Sequence, residues 1–160
     1  DLTSHERESG KDLTYFDPDS NEKIYPVVIE PAGGLTRTLF AILCSNYDED
    51  TVNDTTRTLF RFNFDIAPIQ IAILPLSKKD NLINISKEIK NDLQNMFRTE
   101  IDTTQSIGKR YRRQDEIGTP YCITVDFETL DDDSVTIRNR DTMDQERVEI
   151  NKLHDYFENI

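Results

Sequence analysis

The sequence predicts an α/β fold, a mixed β-sheet flanked by helices and preceded by a strand–turn–helix segment. Three observations carry this. Short apolar runs rich in β-branched residues alternate with stretches of helical periodicity. One run, Pro68 to Leu76, is apolar nearly throughout, as a central strand covered on both faces requires. The later strands instead alternate apolar and polar residues, as half-covered strands do. At 160 residues, with 36% hydrophobic and 31% charged residues, the chain is long enough and apolar enough to bury a core.

Taken in order, residues 1–23 are polar, with a strand expected at Leu13–Phe16 ended by Asp17-Pro18-Asp19. Ile24-Tyr25-Pro26-Val27-Val28-Ile29-Glu30 reads as a buried strand, broken by Pro31-Ala32-Gly33-Gly34. Leu35, Leu39, Ile42 and Leu43 then fall on one helical face. The acidic, polar stretch 46–56 reads as a loop or linker, and Leu59, Phe60, Phe62 and Phe64 as a strand. From about residue 66 the expected order is strand-helix-strand-helix-strand-strand-strand-helix. Asp80 opens a helix whose apolar stripe is Leu82, Ile85, Ile89, Leu93, Met96 and Phe97. After a short strand near Glu100–Thr103, Ser106 caps a basic helix that Gly118 stops. Strands at Tyr121–Phe127, Ser134–Arg140 and Arg147–Ile150 and a helix at Leu153–Phe157 complete the chain.

The 19 basic residues are outnumbered by 31 acidic ones, for a net charge of −12. Such a balance excludes indiscriminate nucleic-acid binding, which needs positive potential over the whole surface. A local cationic patch still works, because charges beyond about 10 Å are largely screened at physiological salt. No run reaches the roughly 20 apolar residues of a membrane helix, and the N-terminus has no signal-peptide pattern. Cys44 and Cys122 read as free, buried thiols of a reducing compartment, with a disulfide between them the weaker alternative, and His5 and His154 lack the neighbours of a metal site. The start at Asp1, without methionine, reads as the edge of a trimmed or excised piece.

Two stretches carry chemistry. Val27 to Arg37 places a carboxylate, Glu30, at a strand end and a guanidinium, Arg37, in a first helical turn across a glycine-rich bend. Helix N-termini favour anions, glycines let a ligand approach the backbone, and arginine grips phosphate with two prongs. By itself such a bend is more often simply a turn. The second stretch, Ser106 to Pro120, holds Lys109, Arg110, Arg112 and Arg113 around Tyr111, the densest basic patch in the chain. Arginine forks and a tyrosine face suit unpaired RNA bases. A solvated helix face with Arg112 paired to Glu116 explains the same composition equally well.

The first stretch resembles motif 3 of class II aminoacyl-tRNA synthetases in its glycyl form, usually Glu-Pro-Ser-x-Gly-x-x-Arg; Glu30, Pro31, Gly34 and Arg37 match. Ala32 stands where that family often has a serine, and Thr36 where an acidic or small residue is frequent. The upstream Ser9 to Asp17 also resembles the segment that precedes this motif. Ser106 to Phe127, continued by Val135 to Met143, is similar to the signature of the glycyl-tRNA synthetase anticodon-binding domain, and Ala67 to Leu76 to its first strand. The resemblance implies a C-terminal remnant of the antiparallel catalytic domain at 1–50, a linker and connecting strand at 51–66, and an anticodon-binding domain at 67–160. It implies that Arg37 holds ATP phosphates and serves catalysis, that Glu30 holds the ammonium of glycine, and that Arg110, Arg113, Glu116, Arg138 and Arg140 contact the anticodon of tRNA-Gly. Thr136, Arg138 and Arg140 share a strand face, which is either that RNA surface or a rim of ion pairs with Asp126 and Asp141.

The parent activity so implied is a cytoplasmic, homodimeric glycine–tRNA ligase using ATP and Mg2+ through glycyl-adenylate. This chain, lacking the other class II motifs, is expected to need no cofactor, hold no metal and be inactive alone. A stand-alone tRNA-binding module and a non-catalytic accessory subunit are the alternatives, and the reading frame upstream of Asp1 decides among them.

Overall fold

The computed structural model describes residues 1–52 and 54–160; within the expected loop at 46–56, Asn53 lies outside the described residues. The chain divides into two compact units, Asp1–Thr38 and Leu39–Ile160.

The first unit opens with helix α1 (Leu2–Ser9), which the sequence reading did not anticipate. Gly10 ends it in the left-handed region (φ 67°), with its N–H on Glu6 O at 2.8 Å. Strands β1 (Tyr15–Asp17) and β2 (Glu22–Ile24) form an antiparallel hairpin, Tyr15 opposite Ile24 and Asp17 opposite Glu22. Asp17 closes its turn by accepting the Asp19 N–H (3.1 Å) and the Ser20 hydroxyl (2.7 Å). The strand expected over Ile24–Glu30 is not formed beyond Ile24. No neighbouring strand among the described residues pairs with that run, and Val27 and Ile29 are 98% and 92% exposed. Helix α2 (Leu35–Asn46) follows the glycines as expected, and Cys44 on it is exposed rather than buried.

In the second unit residues 47–52 and 55–56 of the expected loop are strand instead. Strand β3 (Tyr47–Val52) pairs antiparallel with β4 (Thr55–Phe60), Asp50 opposite Arg57 and Tyr47 opposite Phe60. Its acidic residues alternate in exposure along β3 and meet arginines across the strands, which composition alone conceals. The main sheet holds β5 (Ile71–Pro75), β6 (Thr99–Ile101), β7 (Tyr121–Val125), β8 (Ser134–Asn139) and β9 (Gln145–Glu149) in the order β6-β5-β7-β8-β9. β5 runs parallel to β6 and β7, while β7–β8 and β8–β9 are antiparallel, so the sheet is mixed.

Strand β5 is buried along its whole length, as its unbroken apolar sequence requires. One sheet face carries the main core: Ile71, Ile73, Ile123, Val125, Val135 and Ile137 meet Leu82, Ile89 and Leu93 of α3 (Asp80–Leu93) and Leu153 and Phe157 of α6 (Leu153–Glu158). On the other face Ala72, Leu74 and Cys122 receive Ile107 and Tyr111 of α4 (Ile107–Ile117). Burial pushes the Cys122 thiol up to about 12, so it stays protonated and unreactive. Ser106 and Gly118 stand at the two ends of α4 as read from the sequence. Gly118 is required there: its φ is 85°, and a Cβ would lie 2.3 Å from Cδ2 of Phe62. A one-turn helix, α5 (Thr129–Asp132), links β7 to β8.

Candidate nucleic-acid interface

Helix α4 is amphipathic in an unusual sense, since its buried residues are Arg110, Gln114 and Asp115. The helical repeat sends Lys109, Arg112 and Glu116 outward and turns Arg110 toward the strand ends. Arg110 is 3% exposed, with Nη1 donating to the Pro75 carbonyl (2.6 Å) and to that of Asp102 (3.2 Å). Arg138 on β8 is buried against Asp115 in a two-pronged pair (2.8 and 3.0 Å), its guanidinium 4.9 Å above the Tyr111 ring. Burial works against the Arg138 charge, but the hydrogen bonds and attraction of Asp115 outweigh it and hold its pKa above the ordinary value. Arg140 is buried as well, donating to the carbonyls of Gly118 (2.8 Å) and Phe62 (3.1 Å) and to Asp141 (2.7 Å).

These positions correct the expectation for Arg110, Arg138 and Arg140. Their donors are spent on main-chain carbonyls and carboxylates inside the domain, so none is presented to RNA. Arg113 is half-buried and committed to Asp102 (Nε 3.0 Å) and the Thr104 hydroxyl (2.7 Å). Glu116 remains exposed. Arg112 donates to the Thr56 carbonyl at 2.9 Å rather than pairing with Glu116. The residues missed are Arg57 and Arg61 of the hairpin segment. Buried Arg57 donates to Asp50 (2.8 Å), Asp115 (3.1 Å) and the Arg140 carbonyl (2.9 Å), which makes Asp115 the shared anion of two buried guanidiniums. Asp48 and Asp50, two apart as on one face of a strand, ahead of Arg57 and Arg61, were the signal that could have shown this.

The surface that does present cations and an aromatic ring lies at the carboxyl edge of the parallel strands, the usual place for ligands on such sheets. The chain leaving β5 carries exposed Leu76, Lys78 and Lys79, and the Leu76 N–H on the Val125 carbonyl (2.8 Å) ties it to the end of β7. Beyond β7, Phe127 is 42% exposed, with Lys79 Nζ 4.7 Å from its ring centroid. Asp126 and Thr129 fasten the turn around it: Asp126 accepts the Thr129 N–H (3.0 Å) and hydroxyl (3.1 Å). The sequence places Phe127 as the last residue of its strand; β7 instead ends at Val125 and frees it. A cavity of about 670 Å³ between α3 and the β8–β9 end of the sheet is lined by Glu88, Asp92, Asp132, Asp133 and Glu149, the wrong sign for phosphate.

In the first unit Glu30 and Arg37 are both exposed, and among the described residues neither has an ion pair or side-chain hydrogen bond. The aliphatic part of Arg37 lies over Gly34, 3.7 Å from where a Cβ would stand, so the bend leaves its guanidinium open to an anion. Among the described residues no group of three or more His, Cys, Asp or Glu side chains is arranged to hold a metal, and no helix is long and apolar enough to cross a membrane.

Residues 70–160 match a family model described as the anticodon binding domain. The glycine–tRNA ligase of Treponema denticola is 49% identical over 154 residues, covering 92% of this chain and 34% of that protein. That of Ruminiclostridium cellulolyticum is 53% identical over 160 residues, covering 99% and 34%. The chain thus spans about a third of the length of the curated relatives it matches. Among solved structures, the RNA binding domain of threonyl-tRNA synthetase from Cryptosporidium parvum Iowa II aligns over 62% of this chain and 25% of its own (TM-score 0.56, 24% identity). Prolyl-tRNA synthetase from Cryptosporidium parvum aligns over 64% and 22% (TM-score 0.58, 21% identity). At these identities the two structures share the fold.

Proposed function

The chain belongs to the anticodon-binding domain family, and from that premise we propose that it is the C-terminal, tRNA-binding part of a cytoplasmic glycine–tRNA ligase. Its near 50% identity to proteins of that name, over almost its whole length, supports the assignment. The RNA-facing surface we assign is the carboxyl edge of β6, β5 and β7. The observation that carries it is Lys79 lying over exposed Phe127, beside Lys78. An exposed ring stacks on an unpaired base, and lysines beside it hold the flanking phosphates. Elsewhere the chain repels RNA through its charge of −12, which confines binding to this edge.

Glu30 and Arg37 belong to the adenylation pocket of the whole enzyme, Glu30 holding the ammonium of glycine and Arg37 the phosphates of ATP. Both side chains are free for those roles. Catalysis by the homodimeric parent, with ATP and Mg2+, rests on positioning and on neutralising phosphate charge; this chain by itself forms no adenylate.

The test is binding of the tRNA-Gly anticodon stem-loop across a salt titration. The K78A/K79A variant weakens binding and lowers the salt slope by about 1.4, near 0.7 for each lost contact to single-stranded RNA. F127A weakens binding by about 1–3 kcal/mol and leaves the slope unchanged, because stacking releases no counterion. Wild-type affinity in both variants would remove this edge from the mechanism.

A further inference from the structure

We infer that Arg110 is a positioning residue, a buried clamp on the ends of β5 and β6 that holds the RNA-binding edge in shape without touching RNA. The inference rests on the reading of that edge given above.

The guanidinium reaches three segments at once. Besides the carbonyls of Pro75, the last residue of β5, and Asp102, just past β6, it binds that of Gln105, in the loop before α4, through both Nε and Nη2 at 3.2 Å. No carboxylate among the described residues pairs with it. A buried cation without a counter-ion is costly, and an apolar side chain of similar length would fill the same helical position at less cost. What the charge provides is a rigid fork of donors for carbonyls that converge from three directions, which a lysine cannot reproduce.

A second observation points to the same task. Gln105 has φ 65°, the left-handed region that a residue with a Cβ seldom adopts. Its carbonyl is the one gripped twice, so the clamp holds this residue in an unfavourable conformation. Asp102 braces the loop from its other side: it accepts the Thr104 N–H (2.9 Å) and hydroxyl (2.7 Å) and pairs with Arg113. Although burial raises the Asp102 pKa, its bonds from Thr104 and Arg113 outweigh that and keep it ionised. Pro75 leads straight into Leu76, Lys78 and Lys79, and Gln105 into Ser106 and the start of α4. Arg110 therefore fixes the spacing between the lysine-bearing chain and the amino end of α4, where the domain meets RNA.

The experiment measures anticodon stem-loop affinity across a salt titration for the 160-residue chain and four variants. R110K is expected to bind about tenfold more weakly with an unchanged salt slope, since no phosphate contact is lost. Adding Q105G to R110K is expected to restore affinity to within about threefold of wild type, because glycine adopts positive φ without help. Q105V, with Arg110 intact, opposes the left-handed backbone and is expected to weaken binding about as much as R110K; Q105G alone stays near wild type. Wild-type affinity in R110K, a slope reduced by about 0.7, or no rescue by Q105G each overturns the clamp. If R110K does not fold, wild-type affinity in Q105V overturns it. If K78A/K79A binds normally, the RNA-edge reading fails on its own. The clamp is then decided by amide exchange at Thr104, faster in R110K if the clamp exists and unchanged if it does not.

Discussion

Two apolar runs of similar length and composition meet opposite fates in this molecule. Ile71 to Pro75 is buried at every residue, paired on one side by β6 and on the other by β7. Tyr25 to Ile29 is richer still in β-branched residues, yet among the described residues no strand pairs with it, and it exposes Val27 and Ile29. The difference is not propensity. A strand needs partners for its main-chain N–H and C=O groups and a face on which to lay its side chains, and the second unit supplies both to β5. The same contrast separates the arginines. Arg37 stands open in the first unit, whereas Arg57, Arg110, Arg138 and Arg140 are enclosed in the second, where carbonyls and carboxylates converge on them.

The largest effect is expected where that enclosure is densest. Asp115 is the anion shared by Arg57 and Arg138, all three nearly inaccessible to solvent. D115A leaves buried Arg138 without a carboxylate and strips Arg57 of one of its two, and should cost about 3–5 kcal/mol, read as a shift of the urea midpoint. Arg57 lies in the β3–β4 hairpin, so the loss should also loosen the hairpin from α4, visible as faster amide exchange along β4. A cost under about 1 kcal/mol would mean that the packing around α4, not the ion network, joins these elements.

G118A comes next. Alanine there must adopt φ near 85° and drive a methyl into Phe62 and Phe60. The left-handed backbone costs about 1–2 kcal/mol and the overpacking about 1–3, so a loss of roughly 2–5 kcal/mol is expected in the same assay. The stacked rings of Phe60 and Phe62 can yield only by separating from each other. A neutral result would show that α4 and β4 slide past one another more freely than their contacts suggest.

Acid sharpens the comparison further. Arg57 holds the Asp50 carboxyl below its usual range. At Asp102, Asp126 and Asp141 burial pushes upward, but hydrogen bonds and charge from Thr104 with Arg113, from Arg147, and from Arg140 outweigh it and lower the pKa. All four therefore bind protons more weakly folded than unfolded. Their stabilisation is complete above the unfolded carboxylate value near pH 4 and is lost as pH falls through the lower folded values. The urea midpoint of the second unit should be flat from about pH 8 to 5 and decline steeply below about pH 4. Rising stability between pH 5 and 3 would contradict the pairing described.

Much of this was legible in the sequence. The unbroken run of β5, the alternation of β7 and β8 and the stripe of α3 specify the sheet and its main core, because burial leaves a direct mark on which residues are apolar. Gly118 likewise marks the end of α4, since a left-handed cap is local chemistry, and Ser106 stands at its start without a side-chain capping bond. The site was less legible for a physical reason. A guanidinium looks the same in a sequence whether it faces RNA or a carbonyl cluster, and only the fold shows that Pro75, Asp102 and Gln105 aim their oxygens at Arg110. Strand β3 was concealed by its acidic composition, which departs from strand propensity and is offset by arginines on its partner. Phe127 was hidden by a shift of two residues in where β7 ends.

The smallest effect expected is the most informative about the two runs. Replacing Val27 and Ile29 together by serine removes apolar surface that is already in water, so in this chain the stability should change by less than about 0.5 kcal/mol. I73A, a single truncation in the buried run, should cost about 2–5 kcal/mol. The relatives are about three times as long as this chain, and on the proposal that it is part of such an enzyme, further sequence is there to cover residues 25–29. The double serine substitution in the full-length protein should then cost several kcal/mol, about 1.5–3 for each side chain newly buried there. Equal, negligible costs in both contexts would mean that the run stays exposed in the whole enzyme, and that its apolar character serves a contact other than the sheet its sequence suggests.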